Sequence, residues 1–328
     1  MRDRSIWKNR NVLITGGGGF IGSHLADLLI ELEANVSITI RNKNSNHDFI
    51  NHIFDKIKIY YGDLREYQNC LKASFQQNVV FNLAAKVGGL EYNIKHPGSI
   101  FRDNLLVFMN ILEASRVNKV NRFITVSSAC VYPRFCTIPT PEEEGFKDEP
   151  EPTNQGYGWA KRMEESLSMW YRTEFEMKIA IGRPYNAYGP RDNFNPESSH
   201  VIPALIKKVL ETDDLINVWG SGEQTRSFIY ATDFAKGLLR LAEVMPKETI
   251  NIGADEEIKI KEVVFLIREL TNSNIEVKFD TSKPEGQPRR KCDTKRAHSI
   301  LGFKAQVPFR EGLKQTIEWY LESNHHKE

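Results

Sequence analysis

The chain has 328 residues, of which 40% are hydrophobic and 27% are charged. This length and composition suit one large globular domain, or two closely joined ones, with enough apolar residues for a full core. The formal net charge of +1 gives no overall attraction to nucleic acid, and no apolar run approaches the roughly 20 residues of a membrane span.

The cysteines and the N-terminal stretch indicate a cellular compartment. The four cysteines, Cys70, Cys130, Cys136 and Cys292, have neither the spacing of a metal site nor that of a secreted disulfide framework. We therefore predict no metal site and a reducing environment. The polar start of the chain, MRDRSIWKNR, lacks the apolar segment of a signal peptide. Together these features favour a cytoplasmic protein.

The first predicted element is a strand followed by a glycine-rich loop. Residues 11–15 (NVLIT) form an apolar run typical of a strand buried in a parallel sheet. The segment GGGGFIG follows, and a helical pattern begins after it. Glycines at such a turn let the backbone approach a pyrophosphate at a helix N-terminus, so this order favours a dinucleotide site over a flexible turn. The cofactor contacts predicted here are Gly16, Gly19, Phe20, Ile21 and Gly22.

The second predicted strand, residues 36–40, bears on the choice of cofactor. In NAD-binding proteins an acidic residue after this strand holds the ribose 2′-hydroxyl. Here Arg41 stands in that place. A cation favours the 2′-phosphate of NADP, so we predict NADP(H) as the cofactor. NAD(H) stays open, because Arg41 also fits a solvated loop.

The next strands complete the first half of the chain. Strands are predicted at residues 57–61, 78–83 and 122–126, with a long helix at 101–118. Strands that alternate with helices predict a doubly wound parallel sheet, the Rossmann arrangement of α/β proteins. The carboxylate of Asp63 suits the adenine amino group, and small residues after the fourth strand leave room for the cofactor. The contacts predicted at these strand ends are Asp63, Leu64, Ala84, Ala85 and Lys86.

A candidate catalytic set follows the fifth strand. Ser128 ends the run RFITVSS, and Tyr157 and Lys161 are four residues apart in a predicted helix, on one face. A lysine cation beside a phenol is expected to lower the phenol's pKa, which suits proton transfer at a carbinol oxygen. The serine hydroxyl can hydrogen-bond the same oxygen. The Tyr-x-x-x-Lys spacing alone also arises by chance, so the order of the surrounding motifs decides its meaning.

That order resembles the extended short-chain dehydrogenases that act on nucleotide sugars. The motifs are TGGGGFIG, GDL, NLAA, SSACVYP, YGWAK and RPYNAYGP, in that order. Within this group the chain is similar to the GDP-L-fucose synthases, through AAKVGG, EPTN and SHVIPAL. It is also similar to the GDP-mannose 3,5-epimerases, through SSACVYP and WGSGEQTRSF. The 4,6-dehydratases resemble the chain as well, but they place an acidic pair directly after the catalytic Ser or Thr. This chain has Ala129 and Cys130 in those positions, which disfavours a dehydratase.

The resemblance implies further site residues. It assigns epimerisation at the sugar ring to Cys130 and His200; packing and an ordinary loop position are the alternatives. Lys208 and Arg226 offer charge-assisted bonds to a diphosphate, and Trp219 offers a face for a base. The substrate contacts it implies are Val87, Gly88, Asn186, Lys208, Trp219, Arg226, Glu285 and Arg289.

The resemblance implies an enzyme that epimerises a GDP-4-keto sugar at C3 and C5 and reduces C4 with NADPH. Two departures favour a redox-neutral alternative, a 3,5- or 4-epimerase or C4 dehydrogenase that recycles a tightly bound NAD(P). The glycine loop lacks the basic residue of the fucose synthases, and the string TRSF is typical of epimerases. A non-catalytic dinucleotide-binding regulator is disfavoured, because Ser128, Tyr157 and Lys161 are all present.

The predicted domain organisation has two parts. We expect a dinucleotide-binding domain at residues 1–183, with return segments from about 228–255, and a smaller C-terminal α/β domain for the nucleotide sugar at 184–328. Asp233 is predicted to cap the N-terminus of a helix. The family's pairing of helices near 100–118 and 155–176 implies a homodimer.

Overall fold

The computed structural model of the protein describes residues 6–45, 47–196, 198–212, 214–283 and 286–325. Within these ranges the strands are β1 (Asn11–Thr15), β2 (Asn35–Ile40), β3 (Lys58–Tyr61), β4 (Val79–Asn82), β5 (Arg122–Val126), β6 (Ile179–Pro184), β7 (Ala187–Tyr188), β8 (Leu215–Trp219), β9 (Thr225–Arg226), β10 (Ile229–Tyr230), β11 (Ile250–Ile252), β12 (Ile258–Lys259), β13 (Glu276–Asp280) and β14 (Arg289–Arg290).

The helices alternate with the strands through most of the chain. They are α1 (Phe20–Glu31), α2 (Tyr67–Ser74), α3 (Leu90–Lys95), α4 (Pro97–Val117), α5 (Gln155–Phe175), α6 (Val201–Glu211), α7 (Ala231–Val244), α8 (Ile260–Leu270), α9 (Lys295–Leu301) and α10 (Phe309–His325). No helix among the described residues has the length and apolar composition needed to cross a membrane.

The described strands build one large parallel sheet in the order β3-β2-β1-β4-β5-β6-β11. The chain winds outward from β1 in one direction, then crosses to β4 and winds in the other. The predicted doubly wound parallel sheet is therefore confirmed. Such sheets bind ligands outside the carboxyl ends of the strands, where the winding reverses. In this chain that position lies between β1 and β4.

Helices cover both faces of the sheet, and the side chains of β1 show why. Val12 and Ile14 point into a core that includes α1 and α7. Leu13 points the other way, into a core with Phe108 of α4 and with α2. Because both faces are buried, the strand reads as a continuous apolar run rather than an alternating one. This is the pattern that identified it in the sequence.

The later part of the chain forms a second core. Apolar residues of α6, α8 and α10 pack together with the short parallel pair of β8 and β13. The helix α9 does not join them. Ala297 and Leu301 of α9 pack in the first core, on α7 and β11. The chain thus returns to the large sheet in α9 as well, beyond the return segment expected from the sequence.

Asp233 does not cap α7, contrary to the sequence prediction. The helix begins at Ala231, so Asp233 lies inside its first turn. Its buried carboxylate instead accepts hydrogen bonds from the backbone N–H groups of Gln306, at 2.5 Å, and Val307, at 2.8 Å. Lys236 donates to the other oxygen at 3.0 Å. The residue ties α7 to the segment before α10.

We predict that Asp233→Ala destabilises the protein, because it leaves two backbone donors without their acceptor. Each orphaned donor costs about 1–3 kcal/mol, so the free energy of unfolding should fall by about 2–6 kcal/mol. Urea denaturation followed by circular dichroism measures this change. The exposed Asp55 provides the control, since Asp55→Ala should alter stability by less than about 0.5 kcal/mol. Equal effects of both changes would contradict the assigned role.

Candidate active site

The carboxyl ends of the sheet strands open into a cleft of about 1200 Å³. The glycine loop after β1 forms one end of it. Residues of α6, β8 and β9 form the other end, which belongs to the second core. The cleft is therefore long enough to hold two ligands side by side, one over the sheet and one against the second core.

The glycine loop has the shape of a phosphate cradle. Gly16 has φ of +66°, a conformation that favours glycine. A Cβ on Gly22 would lie 2.4 Å from the carbonyl oxygen of Gly16, so a side chain there would push α1 away from the loop. The N-terminus of α1 thus meets the cleft with bare backbone. This arrangement fits the pyrophosphate of a dinucleotide, which a helix N-terminus stabilises.

The hydroxyl of Thr15, the last residue of β1, holds the loop that follows β4. The Thr15 hydroxyl donates to the side-chain oxygen of Asn82 at 2.8 Å. It accepts from the backbone N–H groups of Leu83, at 3.1 Å, and Ala84, at 3.0 Å. The ends of β1 and β4 are therefore held together at the point where the winding reverses. The predicted cofactor contacts Gly16, Gly19, Phe20, Ile21, Gly22, Ala84, Ala85 and Lys86 all line this part of the cleft.

Two guanidinium groups stand at the far end of the cofactor region. Arg41 follows β2 and lines the cleft, as do Asp63 and Leu64 after β3. The carboxylate of Asp63 is already engaged, because Arg65 donates to both of its oxygens at 2.6–3.1 Å and thereby lowers the pKa of that carboxyl. Arg65 lines the cleft as well. Arg65 was not among the residues predicted for the site, although it follows Gly62 and Asp63 closely in the sequence.

The candidate catalytic set comes together beside this region. Ser128 follows β5, and its hydroxyl accepts from the backbone N–H of Cys130 at 3.1 Å. Tyr157 lies in the first turn of α5, and the Lys161 ammonium is 5.6 Å from the centre of its ring. The Ser128 hydroxyl also hydrogen-bonds the phenol. The side chains of Ser128, Tyr157 and Lys161 all line the cleft. The structure therefore brings the predicted set to one place.

The protonation of Tyr157 differs from the sequence prediction. Burial raises the pKa of Tyr157 to about 12, and the opposing effects of the Lys161 charge and the Ser128 hydrogen bond do not offset it. The expected lowering of the phenol pKa is therefore wrong for this structure. The sequence indicated that Lys161 lies beside the phenol, but not that the phenol is buried. Removal from water favours the neutral phenol.

The two residues that the resemblance linked to epimerisation also line the cleft. Cys130 is half-buried and near enough to Tyr157 for its charge to affect the phenol. His200 lies just before the first residue of α6. Its Nδ1 is 3.9 Å from the carboxylate of Asp192. Burial alone would lower the pKa of His200, but Asp192 outweighs it and the net shift is upward.

The substrate contacts implied by the resemblance occupy the other half of the cleft, with two exceptions. Lys208 donates to the carbonyl of Asn217 at 2.9 Å, and Arg226 donates to that of Gln287 at 2.7 Å. The indole of Trp219 is partly exposed beside Lys283. The implied residues that line the cleft are Val87, Gly88, Asn186, Lys208, Trp219 and Arg226.

The exceptions are Glu285 and Arg289. Glu285 is outside the described residues. Arg289 does not line the cleft; its guanidinium makes two hydrogen bonds to Glu257, at 2.6 and 2.8 Å. The next residue, Arg290, does line it and donates to Gln287 at 2.5 Å. Adjacent residues of a strand face opposite sides, so Arg290 rather than Arg289 faces the cleft.

Metal chemistry has no residue set to support it in the described part of the chain. No cluster of three or more His, Cys, Asp or Glu side chains there has the arrangement needed to hold a metal ion. The side chains that line the cleft include a hydroxyl, a phenol, a thiol, an imidazole and several cations. Such a set suits proton transfer at the carbons and oxygens of a sugar, with phosphates held by cations.

The comparison with known proteins agrees with the set of side chains in the cleft. A family model described as the NAD dependent epimerase/dehydratase family matches residues 12–253. The putative GDP-L-fucose synthase 2 of Arabidopsis thaliana is 35% identical over 245 residues, which cover 73% of this chain and 74% of that protein. The GDP-mannose 3,5-epimerase of the same plant is 32% identical over 320 residues, which cover 96% of this chain and 83% of that protein.

Solved structures show the same fold over nearly the whole chain. A GDP-L-fucose synthetase from Naegleria fowleri bound to NADP has a TM-score of 0.78 at 27% identity, covering 97% of this chain and 96% of that one. A UDP-glucose 4-epimerase with UDP-glucose from Thermotoga maritima has a TM-score of 0.87 at 26% identity, covering 96% and 99%. The protein is therefore an NAD(P)-dependent nucleotide-sugar enzyme that belongs to the NAD dependent epimerase/dehydratase family.

Proposed function

We propose that the protein epimerises a GDP-linked 4-keto sugar at C3 and C5 and reduces the ketone at C4 with NADPH. One observation carries this proposal. A thiol and an imidazole, Cys130 and His200, line the same cleft as the set of Ser128, Tyr157 and Lys161. The first pair suits proton exchange at carbon, and the second set suits proton transfer to an oxygen.

The epimerisation would use the two residues in turn. A C4 ketone acidifies the protons on C3 and C5. A thiolate is a competent base, so Cys130 takes such a proton. His200 returns a proton to the opposite face of the carbon. Its contact with Asp192 supports this role, because a raised pKa keeps more of the imidazole in the proton-donating form near neutral pH.

The reduction would use the set around α5. A nicotinamide cofactor bound at the glycine loop supplies the hydride for C4. Tyr157 gives its phenolic proton to the C4 oxygen, and Ser128 orients that oxygen by a hydrogen bond. Lys161 holds its charge beside the phenol. A phenol that keeps its proton at neutral pH is suited to act as this acid.

The choices of NADP(H) and of GDP rest on separate support. Arg41 and Arg65 at the end of the cofactor region provide charge for a 2′-phosphate. The Naegleria structure is described as bound to NADP. For the nucleotide, the relatives named above are called GDP-L-fucose synthase and GDP-mannose 3,5-epimerase. Structures with UDP sugars keep UDP as the nucleotide to test against GDP.

A redox-neutral GDP-sugar 3,5-epimerase is the second candidate. The observation that favours it lies in the sequence: the string WGSGEQTRSF is similar to the GDP-mannose 3,5-epimerases. The glycine loop also carries Gly17 and Gly18 where the fucose synthases carry a basic residue. Such an enzyme would first oxidise C4 and later reduce it, with the same residues in the same places.

We further propose that the protein is a homodimer. The helices α4 and α5 pack against each other along their length. Each leaves large apolar side chains exposed, Leu106 and Met109 on α4, and Met169 and Trp170 on α5. A second copy of this two-helix surface would cover these side chains, which supports the pairing expected from the sequence.

Two substitutions test the division of labour, with a GDP-4-keto-6-deoxyhexose as substrate in deuterated water. Tyr157→Phe should slow NADPH consumption by at least about 100-fold, because the acid for the C4 oxygen is lost. Deuterium uptake at C3 and C5 should persist. Cys130→Ser should abolish that uptake and leave simple C4 reduction. Absorbance of the reduced nicotinamide and NMR of the sugar measure the two steps. Full deuterium uptake by Cys130→Ser would make Cys130 a packing residue.

The cofactor preference is tested at Arg41. Arg41→Ala should weaken NADPH binding by about 10-fold or more and change NADH binding little, because only NADPH carries the phosphate. Fluorescence titration of both cofactors measures the dissociation constants. Lys43→Ala is the matched control, since Lys43 is an exposed cation nearby that does not line the cleft. Equal losses for NADH and NADPH at Arg41 would refute the assignment.

The proposed substrate contact at Arg290 is tested by substitutions at two neighbouring residues. Arg290→Ala should weaken GDP binding by about 10-fold or more, because it removes a charge-assisted bond to the diphosphate. Arg289→Ala should change it by less than about twofold, since that guanidinium is held by Glu257 outside the cleft. Calorimetry with GDP gives both values, and UDP gives the nucleotide preference. A larger loss at Arg289 than at Arg290 would assign the diphosphate contact to Arg289 instead.

A further inference from the structure

Two asparagines near the candidate catalytic tyrosine form a pair that the proposed reaction does not use. Asn93 of α3 donates from its side-chain nitrogen to the side-chain oxygen of Asn154 at 2.7 Å. Both residues line the cleft. Asn154 directly precedes α5 and comes three residues before Tyr157. The pair therefore stands in the part of the cleft where the ketone would react.

The main chain at Asn154 is held by its neighbours. Its backbone N–H donates to the carbonyl of Glu151 at 3.0 Å. The carboxylate of Glu151, which is buried, accepts from the backbone N–H of Thr153, also at 3.0 Å. These bonds fix the turn before α5. The direction of the Asn154 side chain is then set by its contact with Asn93.

The side chain of Asn154 does not cap the helix that follows it. Asparagine is favoured just before a helix because its side-chain oxygen can accept from the free backbone N–H groups of the first turn. Asn154 makes no such bond. Its oxygen accepts from Asn93 instead, and its NH2 group has no acceptor in the described part of the chain. The residue thus gives up a stabilising cap and keeps its two donors unused beside the cleft.

Asn93 keeps an unused group as well. Its side chain is 8% exposed, and its side-chain oxygen has no hydrogen-bond partner among the described residues. A buried polar atom without a partner is costly, so packing alone does not explain this arrangement. Donors on Asn154 and an acceptor on Asn93 together complement a hydroxyl, which both accepts and donates. A sugar hydroxyl has the chemistry that such a pair would bind.

We propose that Asn154 binds the C3 hydroxyl of the sugar and that Asn93 is the positioning residue that orients its amide. The inference rests on the proposed function, in which Tyr157 acts at the C4 oxygen. Side chains three residues apart along a helix are neighbours, with Cβ atoms about 5–6 Å from each other. Of the ring carbons beside C4, C3 carries a hydroxyl, whereas C5 carries the ring oxygen and C6. The C3 hydroxyl is therefore the one nearest to Asn154.

This contact makes the C3 hydroxyl a determinant of substrate choice. A sugar without it would leave the NH2 group of Asn154 unpaired in the complex, which weakens binding. A held C3 oxygen also sets the direction of the C3–H bond, from which Cys130 would take its proton. Asn154 should therefore matter more for proton exchange at C3 than for exchange at C5.

The first test measures binding and needs no turnover. Calorimetry compares GDP-mannose with GDP-3-deoxymannose on the wild type and on Asn154→Ala. Loss of the hydroxyl should weaken binding to the wild type by about fivefold or more, and binding to Asn154→Ala by less than about twofold. UDP-glucose and UDP-3-deoxyglucose repeat the comparison for the other nucleotide. An equal loss in both proteins, or no loss in the wild type with either pair of sugars, would overturn the proposal.

Two further variants separate the amide from general effects on the fold. Asn93→Ala removes the donor that orients Asn154, so it should reduce the cost of losing the hydroxyl to about twofold. Gln155→Ala is the matched control, because Gln155 carries the same amide group one residue later, is exposed and does not line the cleft. It should keep the wild-type ratio of affinities. A wild-type ratio in Asn93→Ala would refute the positioning role.

A second readout follows proton exchange with a GDP-4-keto-6-deoxyhexose in deuterated water. Asn154→Ala should slow deuterium uptake at C3 by about 10-fold or more and uptake at C5 by less than about twofold. Uptake at C5 is an internal control, since a general loss of structure slows both. Equal slowing at the two carbons would contradict the assignment to C3. If the wild type exchanges neither carbon and consumes no NADPH, the proposed function fails, and the binding comparison still decides the role of Asn154.

Discussion

The burial of charged residues on one face of α5 is the constraint on which the site depends. Lys161, Arg162, Glu164 and Glu165 are each at most 3% exposed. Charges in such surroundings must be paired or hydrogen-bonded, and each of these is. Lys161 binds Glu164 and the end of β5, and Glu165 binds Arg183 of β6.

These pairs fix the elements that carry the candidate chemistry. Arg162 donates to the carbonyl of Val131 at 2.7 and 2.9 Å, which holds the segment after Ser128. Glu165 accepts from the Ser127 hydroxyl, one residue before it. Tyr157 lies one turn earlier on the same helix. The positions of the serine, the tyrosine and the thiol of Cys130 therefore follow from one set of buried polar contacts between α5, β5 and β6.

The sequence predicted those parts of the fold that depend on local pattern. The apolar run of β1, the glycine loop and the alternation of strands and helices are local features, and they sufficed for the doubly wound sheet. The residues predicted for the cleft came from motifs with fixed spacing, such as Tyr157 and Lys161. For the same reason the first half of the chain was predicted more fully than the second, where α9 returns to the large sheet.

What the sequence could not predict depends on burial and on long-range pairing. The raised pKa of Tyr157 follows from removal from water, which a motif does not report. The pairing of Arg289 with Glu257 joins residues far apart in the sequence, and it decides which of two adjacent arginines lines the cleft. The contact of Asp192 with His200 depends on the path of a loop. In each case the missing information is tertiary.

The central claim is that one cleft carries out both proton exchange at carbon and reduction at C4. The most direct test mixes the protein with NADPH and GDP-4-keto-6-deoxymannose in deuterated water, and follows nicotinamide absorbance and the NMR spectrum of the product. An enzyme with both activities should give loss of absorbance together with deuterium at C3 and C5. Deuterium at these carbons without loss of absorbance would contradict the claim and identify a redox-neutral epimerase.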